Sequence, residues 1–117
     1  MGAATVETAL GPVATTGLGP TLMHEHIVTR SPGVHENWPH LFDRDAILSI
    51  ADRKMADLYR RGIRTIVDLT TVDLGRDIDL ILAVARRSCA TRRRSSRRGR
   101  AGPREIVSGR TAYPDDA

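Results

Sequence analysis

His24-Glu25-His26 is the stretch of this chain whose residue types and spacing could do chemistry. Side chains of an extended segment alternate faces, so His24 and His26 point to one side and Glu25 to the other. Imidazole nitrogen is a common ligand of catalytic zinc and related ions. The pair therefore reads as half of a metal site. A competing reading is two histidines on a partly buried strand face. Glu25, on the opposite side, is expected to be packed or ion-paired rather than a ligand.

The elements around the triplet follow from periodicity and punctuation. Val6 to Thr15 reads as two short extended pieces around the turn dipeptide Gly11-Pro12. Gly17 and Gly19-Pro20 break the chain, and Thr21 to Val28 is a strand candidate. Arg30 to Leu41 reads as a loop, because Pro32, Gly33, Asn37 and Pro39 oppose regular structure. Asp43 to Arg61 predicts a helix with Asp43 as N-cap. Its apolar stripe would be Ala46, Ile47, Ile50, Ala51, Met55 and Leu58, closed by Gly62. Ile63 to Thr70 predicts a second strand, Leu74-Gly75 a loop, and Asp77 to Arg87 a second helix with Ile78, Ile81, Leu82, Val84 and Ala85 apolar. Strand–helix–strand–helix order argues for parallel strands joined by crossovers. In such folds functional groups gather beyond the carboxyl ends of the strands, where His24 and His26 lie.

The 117 residues suffice for one small domain. Residues 1–88 carry 10 basic and 11 acidic side chains, whereas residues 89–117 carry 8 and 3. The alkaline balance therefore belongs to the tail. One cysteine, Cys89, excludes an internal disulfide and fits a reducing compartment. Met1 to Thr8 has no basic-then-apolar leader pattern, and no run approaches the roughly 18 apolar residues of a membrane span. The expectation is a cytoplasmic protein without a membrane partner.

The octet Gly19-Pro20-Thr21-Leu22-Met23-His24-Glu25-His26 resembles the N-terminal signature of the phosphotriesterase family, which includes the phosphotriesterase-like lactonases, in the amidohydrolase superfamily. Val6-Glu7-Thr8-Ala9-Leu10-Gly11-Pro12-Val13 resembles that family's opening hairpin. Arg61 to Thr70 is similar to its helix end and second strand, and Leu74-Gly75-Arg76-Asp77 with the following helix is also similar. The resemblance covers roughly residues 6–88. It implies the N-terminal two βα units of a TIM (β/α)8 barrel preceded by a short β-hairpin, an α/β fold in which the barrel is incomplete. It implies a metal-dependent hydrolase, with His24 and His26 as metal ligands and zinc or a related divalent ion, two per complete site, as cofactor. The substrates implied are lactones, carboxyl esters or organophosphate triesters. The family is often homodimeric.

Two features depart from that pattern. The family's metal-bridging lysine belongs to a later strand, and the only lysine here is Lys54, inside the first predicted helix. His35 and His40 lie in the first loop and are expected to be solvated surface. Asp68 is expected to orient a loop or form an ion pair. From Cys89 the texture changes: Thr91 to Arg100 has no apolar residue, and residues 89–117 read as a basic irregular tail. The tail suits either a shifted reading frame of a GC-rich gene or a genuine arm contacting nucleic-acid phosphates. Tyr113 is its only aromatic residue, which serves base stacking poorly. The first reading is preferred, so nucleic acid is not an expected partner, and the chain alone is expected to be inactive.

Overall fold

The computed structural model describes residues 2–95 and 105–108. An antiparallel hairpin, β1 (Thr5–Thr8) with β2 (Gly11–Ala14), precedes a parallel three-stranded sheet in the order β3 (Thr21–Glu25), β4 (Thr65–Asp68), β5 (Glu105–Ser108). Between them lie α1 (Val34–Asn37), α2 (Arg44–Arg60) and α3 (Ile78–Ser95). The parallel α/β reading is correct, with one more strand than the sequence suggested.

The hairpin turns at Ala9-Leu10 rather than at Gly11-Pro12, since Thr8 and Gly11 are already paired. Thr8 organises the turn: its hydroxyl donates to Gly11 O at 2.7 Å and accepts from Leu10 N at 3.2 Å. Gly11, at φ +119°, then opens β2 with Pro12 inside a two-stranded ribbon, where a missing N–H is tolerated.

Asp43 caps α2 as the sequence predicts, accepting from Ala46 N at 3.0 Å. The helix closes in a Schellman arrangement, with Ile63 N donating to Leu58 O and Gly62 N to Tyr59 O, and Gly62 at φ +95°. The buried stripe is Leu48, Ala51 and Met55, rotated from the expected one, and Ile50 is exposed. Ile50 lies 200° round from Leu48 at 100° per residue, so both cannot face the sheet. On α3 the same rotation buries Leu80 and exposes Ile78. Leu48, Ala51, Met55, Leu80, Ile81, Val84 and Ala85 pack on Ile66 of β4 and Ile106 of β5 to form the core.

The loop expected over Arg30 to Leu41 contains α1 and a 3-10 turn, Pro39–Leu41. Gly33, at φ +83°, serves as the N-cap of α1, and Pro39 starts the 3-10 turn, where its fixed φ is an asset. The residues that seemed to break structure therefore punctuate two short pieces of it.

The irregular tail expected over 89–117 differs from the structure at two places. Helix α3 runs on to Ser95, and Glu105–Ser108 pairs in register with Thr65–Asp68. Ile106-Val107 is a short β-forming pair that a window dominated by arginine, glycine and proline hides. The remainder of the tail, most of the arginine run included, lies outside the described residues. No described helix is long and apolar enough to cross a membrane.

Candidate metal centre

His24 and His26 sit at the carboxyl end of β3, the edge strand next to β4. Leu22 pairs with Ile66 and Glu25 with Asp68, so β3 spends one more residue than β4 over this stretch. That irregularity falls at Met23-His24, and bulges of this kind re-aim side chains beside functional sites. The two rings meet edge to face, their centroids 5.2 Å apart at 70°. Both histidines are exposed.

The segment after β3 is tied down by β4 and the loop that follows it. Asp68, 2 % exposed, accepts from Ile27 N at 2.9 Å and from Thr70 N at 2.8 Å. Leu69 N donates to Glu25 O at 3.0 Å. Thr70 Oγ1 lies 2.9 Å from His26 Nδ1. Further along, Arg30 N donates to Leu74 O at 3.0 Å, and the Arg30 guanidinium meets the Asp77 carboxylate at 2.5 Å. Burial pushes the Asp77 carboxyl up. The Leu80 amide and Arg30 outweigh that burial, so the carboxyl ends below its usual value.

Asp68 is thus a loop-orienting residue, one of the two roles foreseen for it. Glu25 is half-buried and lines a cavity of about 470 Å3 between the end of β3 and α2, shared with His26, Lys54, Met55 and Asp57. His35 corrects an expectation: it is half-buried, stands edge-on to Phe42 at 5.5 Å, and its Nδ1 is buried with no hydrogen-bond partner among the described residues. His40 is exposed. Among the described residues no three His, Cys, Asp or Glu side chains come together as a metal-binding group. Sequence reasoning missed Thr70. The signal was Asp68-Leu69-Thr70, where an aspartate can cap the amide two residues on and so fix the residue that follows it.

A model of the phosphotriesterase family matches residues 4–90. The chain is 42 % identical over 81 residues to a phosphotriesterase homology protein of Mycobacterium tuberculosis, covering 68 % of this chain and 25 % of that protein. It is 41 % identical over 61 residues to an aryldialkylphosphatase of Saccharolobus solfataricus, covering 52 % of this chain and 19 % of that one. The solved structure of the phosphotriesterase from Mycobacterium tuberculosis superposes with a TM-score of 0.71 at 35 % identity, over 90 % of this chain and 28 % of that one. A triple mutant of an organophosphorus hydrolase from Deinococcus radiodurans gives 0.70 at 28 % identity, over 91 % and 28 %. The chain spans about a quarter of the length of these relatives. It belongs to the phosphotriesterase family.

Proposed function

We propose that the chain is the N-terminal part of a metal-dependent hydrolase of the phosphotriesterase and lactonase type, acting on lactones, carboxyl esters or organophosphate triesters. The observation that carries this reading is the pair of exposed imidazoles 5.2 Å apart at the end of β3. The donor set fits a divalent ion such as zinc: two imidazole rings lie side by side, and one of them has its Nδ1 already engaged by Thr70. Such an ion, when bound, would polarise a phosphoryl or carbonyl oxygen and make hydroxide available near neutral pH. The chain's own part is to hold His24 and His26 on a strand end, with Asp68 fixing the backbone beneath them.

In this reading β3, β4 and β5 correspond to the first three strands of a (β/α)8 barrel, and the half-buried Val67 and Val107 face its interior. Catalytic zinc sites have three protein ligands as a rule. The described residues bring together two, so the 117-residue chain alone is expected to hold metal weakly and not to turn over. The test is hydrolysis of an aryl phosphotriester and of a lactone by the purified, zinc-supplemented chain. No rate above the buffer blank is expected. Turnover that disappears in His24→Ala would overturn the half-site account.

A further inference from the structure

Thr70 is 4 % exposed, and its hydroxyl oxygen is 2.9 Å from His26 Nδ1. Both ends of that contact hang from one buried carboxylate: Asp68 holds the amide of Ile27, next to His26, and the amide of Thr70 itself. The bond from Leu69 N to Glu25 O zips the two backbones up to the same point. His26 is therefore anchored on its Nδ1 side, whereas no hydrogen bond is found for His24 among the described residues.

We propose that Thr70 is a positioning residue that immobilises the His26 ring and reserves Nε2 as the nitrogen that takes a cation. A hydroxyl is suited to this because it can donate to a bare Nδ1 or accept from Nδ1–H. With a cation on Nε2, the ring proton would stay on Nδ1 and Nδ1–H would donate a hydrogen bond to the Thr70 oxygen, which fixes both tautomer and ring orientation. The inference rests on the proposed role of His26 as a ligand, but it makes a separate claim about the ring.

The experiment is ring 13C relaxation and long-range 1H–15N correlation on the full chain, with 15N,13C-histidine, without metal and then with zinc. Without metal, the His26 ring is expected to be rigid and the His24 ring mobile. Thr70→Val frees the His26 ring while leaving His24 unchanged, and Thr70→Ser restores rigidity. With zinc, wild-type His26 carries its proton on Nδ1. Thr70→Val mixes the two binding nitrogens and weakens zinc affinity about tenfold, the lower end for loss of an outer-shell partner. A His26 ring as mobile as that of His24 in the wild type, rigidity unchanged in Thr70→Val, or zinc on Nδ1 would each overturn the proposal. Failure of zinc to bind, with the ring still rigid and dependent on Thr70, would instead sink the ligand role while sustaining the positioning claim.

Discussion

Arg30 in the loop after β3 is ion-paired to Asp77 at the start of α3 at 2.5 Å, with the two side chains 9 % and 16 % exposed. Asp77 also caps α3, accepting from Leu80 N at 2.9 Å. One carboxylate therefore joins a helix terminus to the segment that carries His26. Removing Arg30 leaves a largely buried charge with only part of its partners. Arg30→Ala is expected to destabilise the chain by about 3 kcal/mol, measured by urea denaturation at pH 7. A change below about 0.5 kcal/mol, the range of ordinary surface substitutions, would contradict this.

The same carboxylate predicts an acid limb. Its folded-state pKa lies below 3.8, mainly because the Leu80 amide and Arg30 outweigh the effect of burial. A depressed carboxyl stabilises the fold at pH values above its unfolded pKa. That contribution is lost as pH falls from about 3.8 through the lower folded value. The chain should therefore lose stability on acidification across that window. Asp77→Asn, uncharged at every pH, should show a shallower fall there, and an equal slope in the two proteins would contradict the assignment.

Gly75 presses on the same loop. It lies at φ +75°, and a Cβ built there would stand 2.3 Å from the carbonyl oxygen of Arg30. The carbonyl carbon of Arg30 is only 3.0 Å away as well, so backbone rather than a flexible side-chain end would have to shift. Gly75→Ala is expected to cost more than about 2 kcal/mol, from strain and displacement of the Arg30 segment together. Thermal unfolding of the variant reads this directly, and an unchanged midpoint would contradict it.

Strand β5 makes a claim about the tail. Ile106 is 3 % exposed and belongs to the core beside Ile66. Ile106→Ala should cost about 3 kcal/mol if that packing holds, as for other large-to-small changes in cores. No effect on stability would mean that residues beyond α3 contribute nothing to the fold. The edge of β3 away from β4 has no strand partner among the described residues, and unpaired edges weaken small sheets. The isolated chain should accordingly melt below about 50 °C, toward the low end for small mesophilic domains.

What was legible in the sequence follows physical rules of different reach. Asp43, Gly62 and the apolar repeat of α2 act locally, so the helix, its cap and its close could be read from the chain. The face that α2 buries depends on which neighbour it meets. Leu48 against the sheet and Ile50 in solvent were for that reason not decided by periodicity. The His24–His26 pairing is legible in strand alternation, although the irregularity at Met23-His24, set by the register against β4, is not. Nor is the pair's support: Thr70 is 44 residues away and reaches His26 only because β4 lies parallel to β3. Strand β5 escaped notice because four residues carry too weak a pattern until a neighbouring strand and the core select them.

In the proposed reading His24 and His26 form half of a metal site. Isothermal titration of the full chain with zinc tests it most directly, with His40→Ala as the control at an exposed loop histidine. The account predicts weak, one-site binding that His40→Ala leaves unchanged. Loss of an imidazole ligand, in His24→Ala or in His26→Ala, should abolish it. Binding that survives both substitutions, or that depends on His40 instead, would contradict the account.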